Sequence, residues 1–207
     1  MKAYKLTDKN MQTYNNTQWV LNEAKTTSGE GDLCGPGWLH FYSHPLLAVF
    51  LNPTHANFDS PRLFEIEAEG EIKNDYGLKL GCTKMTLVKE LELPKVTLEQ
   101  RIKFGILCAL EVCKDKKFVA WAQNWLDGTD RSNANAYAAN AAANAAYAAN
   151  AAAYYAANAA YYAANAAANA AAYAANAAAY AANAAAYAAA KDGKPLDLIA
   201  IALKAIE

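Results

Sequence analysis

Three histidines and a cysteine lie close together in the first third of this 207-residue chain: Cys34, His40, His44 and His55. Thiolate and imidazole are ordinary zinc ligands, but a site needs them to converge. His40 sits in a strand-like run and His44 directly precedes Pro45, so their four-residue spacing does not place them on one helix face; no metal is expected. Glu65, Glu67, Glu69 and Glu71 offer carboxylate pairs, yet they alternate with Phe64, Ile66 and Ala68, which puts them on a solvated strand face. The chain has no nucleophile elbow, Walker loop or dinucleotide fingerprint. No catalytic residue and no cofactor are therefore expected. The densest chemistry-bearing group is Trp38, His40, Tyr42 and His44, beside the punctuated run Cys34-Gly35-Pro36-Gly37. Aromatic and imidazole rings of this kind stack a base or a nicotinamide, and they also fill cores. These four are the candidate ligand-binding residues.

The elements that must position them can be read from pattern. Residues 2–7 alternate as a first strand, residues 12–22 around Tyr14, Trp19 and Leu21 read as a second, and residues 26–37 form a Gly/Ser/Thr-rich loop. Residues 38–42 are a short buried strand. Ser43-His44-Pro45 opens a helix that Asn52-Pro53 ends. Residues 62–72 and 82–93 are two further strands joined by the turn Asn74–Gly77, with Pro94 closing the second. Thr97-x-x-Gln100 is a capping box. Ile102, Ile106, Leu110 and Cys113 then mark an amphipathic helix, and Phe118–Leu126 another, stopped at Asp127-Gly128. The expected fold class is α+β: a small mixed or antiparallel sheet with packed helices, followed by a long Ala-rich helical segment.

That segment is the most regular part of the sequence. Residues 133–190 contain only Ala, Asn and Tyr, so every charged residue lies outside them. Large or polar side chains recur from Tyr137 to Tyr187 at a mean step close to the 3.6 residues of an α-helical turn. The stripe comprises Tyr137, Asn140, Tyr147, Tyr154, Asn158, Tyr162, Asn165, Tyr173, Asn176, Tyr180, Asn183 and Tyr187. Two arrangements fit: one helix of 58 residues, roughly 87 Å long at 1.5 Å per residue, or an antiparallel hairpin broken near an Asn. An uncharged Ala helix exposes apolar surface that must be covered, by docking, hairpin packing or self-association. The stripe is read as a packing and assembly seam, and a homo-oligomer is the expected partner. Lys191–Pro195 stops the segment and restarts the chain in a closing helix over 196–206. The expected division is 1–128 globular, 129–192 helical repeat and 193–207 closing helix.

A net charge of −1 excludes a general electrostatic grip on nucleic acid. The first residues lack an apolar signal-peptide core, and Asn recurs too often in the Ala-rich segment for a membrane span. Cys34, Cys82, Cys108 and Cys113 form no CxxC pair, so free thiols and a cytoplasmic location are expected.

The runs Gly37–Ala48, Pro61–Gly70 and Cys82–Met85 resemble an uncharacterised domain common in bacteriophage proteins. The likeness covers about residues 1–126, and such domains often end in Ala-rich, immunity-protein-like tails of similar period. It implies a non-enzymatic phage accessory protein in the infected host's cytoplasm, binding a host component or a small nucleotide-like ligand, with the Ala-rich helix mediating self-assembly. The strand order also resembles the ADP-ribosyltransferase fold, which implies an alternative enzymatic role; the first strand, Ala3-Tyr4-Lys5-Leu6, lacks the His or Arg which that family carries there. A third expectation comes from type I fish antifreeze peptides, which the Ala-rich helix resembles: an ice-binding or structural protein.

Overall fold

The computed structural model describes residues 2–132, 136, 158, 162–167 and 171–207. It is an α+β protein with an antiparallel sheet, and it divides into two compact units, residues 1–95 and 96–207. The helix that opens at Leu98 therefore groups with the Ala-rich segment, where the sequence grouped it with residues 1–128.

The first unit is built on strands β1 (Lys2–Thr7), β2 (Gln12–Thr13), β3 (Thr17–Gln18), β4 (Ala24–Thr26), β5 (Leu39–Phe41), β6 (Arg62–Asp75) and β7 (Lys79–Leu91), with helix α1 (Pro45–His55) between β5 and β6. β6 and β7 form one long hairpin; β1 pairs with β6, while β4 and β5 pair with β7. Tyr4 and Tyr42 exchange backbone hydrogen bonds of 2.9 and 2.7 Å, joining β1 to the end of β5. Hydrogen bonding thus runs from β1 through β6, β7 and β5 back to β1, and the sheet closes on itself. The curvature this needs enters at β-bulges between Glu65 and Ile66 and between Glu69 and Ile72. Gly70 occupies the second bulge at φ +77°, where a Cβ would strike the Thr83 hydroxyl, so glycine is required there. Inside lie Ala3, Leu39, Phe41, Phe64, Ile66, Cys82, Met85 and Leu87, with Trp19 packed among them.

Several local expectations hold. His44 caps α1, its Nδ1 accepting from the Leu46 amide at 3.2 Å, with Pro45 in the first turn. The glutamates of β6 lie on a cross-strand charge ladder: Glu65 meets Lys2 and Lys89, and Glu69 meets Lys84 at 2.7 Å. Two expectations fail. Residues 12–22 are not one strand, because Asn15 and Asn16 adopt left-handed backbone (φ 56° and 54°) and turn the chain back through the three residues Tyr14–Asn16 into a small hairpin. Pro53 does not end α1, which runs on to His55: in the last turn a proline disturbs only bonds near the end of the helix.

The second unit contains α2 (Leu98–Val112), α3 (Lys116–Leu126), α4 (Ala171–Lys191) and α5 (Leu198–Ile206). The capping box at Thr97 forms with both of its hydrogen bonds. Asp115 caps α3 through the Lys117 and Phe118 amides, a signal the sequence reading passed over. α2 is the axis of the unit: α3, α4 and α5 all pack against it. It buries Ile102, Phe104, Ile106 and Leu107, each worth about 1.5–3 kcal/mol of transfer free energy. α4 approaches so closely that a Cβ on Gly105 would lie 3.0 Å from the Ala178 Cα and carbonyl oxygen. Gly105 and the alanines together set that short interaxial distance. Gln100 Nε2 donates to the Ile206 carbonyl at 3.1 Å, tying the last turn of α5 to the start of α2. Gly193 (φ 69°) terminates α4, as its position past the last periodic residue predicts.

A single helix over 133–190 is ruled out. The rings of Tyr162 and Tyr180 stack with centroids 5.3 Å apart, whereas a straight helix would separate the two residues by about 27 Å. Tyr162 and Tyr180 therefore do not lie on one straight helix. On the described part of the stripe, alanine and the larger residues differ in burial. The buried side chains of α4 are alanines, including Ala174, Ala178, Ala181, Ala182 and Ala185, while Tyr173 and Tyr180 are 73% and 49% exposed. Asn158, Asn165, Asn176, Asn183 and Tyr187 are half-buried, and Asn183 bonds back to the Ala179 carbonyl at 3.0 Å. Tyr137, Asn140, Tyr147 and Tyr154 lie outside the described residues.

Gly105→Leu is expected to destabilise the helical unit by several kcal/mol, because the added atoms meet backbone rather than a movable side-chain end. Thermal unfolding followed by circular dichroism measures it; a melting temperature equal to wild type would show that α4 does not depend on this contact.

Candidate functional site

The candidate residues Trp38, His40, Tyr42 and His44 fall on and around β5, and each is engaged structurally. Trp38 is buried; its indole Nε1 donates to the Gly31 carbonyl at 3.2 Å and the Lys73 ammonium lies 4.2 Å from its ring centroid. His40 Nε2 donates to the Leu33 carbonyl, which holds the 26–37 loop against β5. Burial lowers the His40 pKa, opposed by that hydrogen bond and assisted by the charges of Lys5 and Lys79. Tyr42 is buried, which pushes its phenol pKa well up; its ring stacks on His55 with centroids 5.8 Å apart, and its hydroxyl lies 3.2 Å from His55 Nδ1. His44 is the cap of α1, and partial burial lowers its pKa. The structure thus spreads the four over a loop anchor, an aromatic stack and a helix cap rather than converging them on one point. Among the described residues no group of three His, Cys, Asp or Glu side chains is placed to hold a metal ion.

The unusual feature of this unit lies elsewhere. Lys5 on β1 pairs with Phe64 of β6, and Ala3 with Ile66, so Lys5 shares the inward face of the closed sheet. Its side chain is buried, with 6% of its surface exposed. The ammonium donates to the His40 carbonyl at 2.7 Å and lies 4.7 Å from the centroid of Trp19. Lys25, whose strand partner Met85 also points inward, places its ammonium 5.7 Å from the same ring. Trp19 is anchored by its indole N–H to the Thr13 hydroxyl at 2.9 Å. Among the described residues, neither lysine forms an ion pair. Desolvation lowers the Lys5 pKa to about 8, with Cys82 acting in the opposite direction. Isolated buried charge is costly, and a structure that keeps one invites a functional explanation.

Sequence reasoning missed this lysine because Tyr4 and Leu6, with their large apolar side chains, mark the opposite face of β1 as the buried one. In fact both faces are covered: Ala3, Lys5, Leu6 and Thr7 are all buried. The small Ala3 beside Lys5 was the available signal, since a small residue next to a long one suits the inside of a tightly curved sheet.

With this geometry in place, comparison with known proteins adds one result. Residues 1–99 match a family described as a domain of unknown function (DUF7666). The match is shorter than the span to residue 126 read from the sequence, and it ends just past the border of the first compact unit. No curated protein and no solved structure matches the chain.

Lys5 makes a testable contribution to stability. Its pKa is about 8 folded and 10.5 as an ordinary lysine, so between these values the unfolded chain binds more protons. Stability from this group is therefore lowest below pH 8, rises from pH 8 to 10.5 and is flat above, by about 3 kcal/mol in total. The wild-type minus Lys5→Met difference in denaturant midpoint should follow that course, with Lys5→Met the more stable at pH 7. A difference independent of pH would show that the ammonium is as well solvated folded as unfolded.

Proposed function

We propose that this is a non-enzymatic binding protein, a phage accessory protein acting in the host cytoplasm, whose first unit takes up a host component or a small nucleotide-like ligand and whose helical unit mediates self-assembly. The exposed pair Tyr173 and Tyr180 carries the self-assembly half of this reading. They stand seven residues apart, on one face of α4, at 73% and 49% exposure. Tyrosine buries ring area at an interface while its hydroxyl keeps a hydrogen-bonding partner, and it is enriched where proteins meet. No charge occurs in residues 133–190, so two copies can bring these faces together without electrostatic repulsion or desolvated charge. The engagement of His40, His44 and Tyr42 in structural contacts supports binding rather than catalysis. The phage setting is supported by the sequence resemblance of the N-terminal runs.

Light scattering on the full chain tests this. Wild type should have a mass that is a multiple of 22.2 kDa, and Tyr173→Lys together with Tyr180→Lys should return it to 22.2 kDa with helix content retained. A monomeric wild type, or a double variant that assembles as wild type does, would sink the assembly role of α4.

A further inference from the structure

We propose that residues 28–37 form a latch on the outer face of the closed sheet, clamped by Lys73, His40 and Lys79 and released by acid. The inference is separate from self-assembly and from ligand uptake. Leu39, Phe41 and Cys82 point inside, so strand alternation turns His40 and Gly81 to the outer face. His40 pairs with Gly81 of β7, and Gly81 with Lys73 of β6; Lys79, two residues from Gly81, pairs with Asp75. Opposed residues share a face, so these side chains stand side by side on three adjacent strands. Each of the three donors meets the loop. Lys73 Nζ donates to the Gly31 carbonyl at 3.2 Å, His40 Nε2 to the Leu33 carbonyl, and Lys79 Nζ to the Cys34 sulfur at 3.1 Å. Gly81 is the seat: a Cβ there would strike Leu33 Cδ1 and lie 3.2 Å from the Trp38 Cβ. Backbone bonds secure the ends of the loop, the Thr27 amide donating to the Thr83 carbonyl at 2.9 Å and the Gly29 amide to the Gly37 carbonyl at 3.0 Å. Among the described residues, the hydrogen bonds that tie residues 31–34 to the strands and to Trp38 all come from side chains.

Of the three clamping groups, the imidazole is the one that changes charge between about pH 5 and 8. Around it stand the cations Lys73 and Lys79, and Lys5, whose ammonium bonds the His40 carbonyl; Asp75 opposes them. Glu30, Asp32 and Cys34 of the loop are exposed, and Glu71 lies at its other end, beside Gly29. Protonation of His40 adds a cation to this row in a half-buried place. The bond to Leu33 survives protonation, yet burial and the lysine charges outweigh it and hold the pKa below 6.5. In the open state the imidazole is solvated and titrates near its ordinary value. Above about pH 7 both states are neutral and the latch is strongest. As pH falls below 6.5 the open state takes the proton first, and the latch weakens. Release bares Trp38, which is 3% exposed while the loop is seated.

The test is amide hydrogen exchange on the full chain, corrected for the intrinsic effect of pH on exchange. Protection at the Gly29 and Gly35 amides should fall about threefold or more between about pH 7.5 and 5.5, while the β6–β7 hairpin keeps its protection. His40→Gln, whose amide can donate to the Leu33 carbonyl without titrating, should leave loop protection equal at the two pH values. In wild type the His40 ring, followed by NMR, should titrate below 6.5, which keeps the test decisive if His40→Gln does not fold. Loop protection that is absent at the higher pH, constant with pH, lost in step with the hairpin or lost equally in His40→Gln overturns the latch. So does a His40 ring that titrates at 6.5 or above.

Discussion

Closure of the sheet is the constraint on which the first unit depends. Four of its strands enclose a set of apolar side chains that no flat sheet of this size could cover. The seam is the weak point: β1 and β5 meet through the Tyr4–Tyr42 bridge, and the Lys5 side chain adds a bond to the His40 carbonyl. The same carbonyl belongs to a residue whose ring holds the 26–37 loop. Ring closure, loop attachment and the buried charge therefore meet within a few residues of β5. Trp19, lodged in the core from a separate small hairpin, completes the enclosure.

The second unit solves a different problem. A helix made of alanine has little side chain with which to fill space, so it gains stability only when its neighbour comes very near. α2 provides that neighbour by carrying Gly105 where Ala178 arrives, and by burying larger residues on either side. Bulk is thus supplied by one helix and proximity by the other. Tyrosine and asparagine mark the edges of the contact, where rings and amides reach water.

Much of this was legible in the sequence, and what was not has identifiable causes. The hairpin of β6 and β7, the capping box at Thr97 and the stop at Gly193 follow from alternation, cap chemistry and backbone freedom, which are local. β4 and the true course of residues 12–18 were missed because left-handed asparagines and three-residue pairings leave almost no periodic trace. In the Ala-rich segment periodicity announced helix but could not say which face was inward; on α4 the buried side chains are alanines. Lys5 was hidden by non-local geometry, since only closure of the sheet turns its side of β1 into an interior. The residues around Trp38, grouped by spacing alone, take separate structural partners, because neighbours in sequence need not share an environment in space.

The docking of α4 has a corollary for how such a sequence can vary. Its repeat, Tyr-Ala-Ala-Asn-Ala-Ala-Ala, is nearly invariant under a shift of seven residues. Moved one repeat in either direction, Ala171 or Ala185 would replace Ala178 opposite Gly105, and Tyr173 or Tyr187 would replace Tyr180 against Tyr162. The helix face itself therefore holds several equivalent alignments. What distinguishes the native one is the aperiodic sequence that follows: the stop at Gly193 and the closing helix, clasped to α2 through Gln100 and Ile206. The segment behaves like a ruler read from its end, and whole repeats can be gained or lost between generations without disturbing the contacts at which the ruler is anchored.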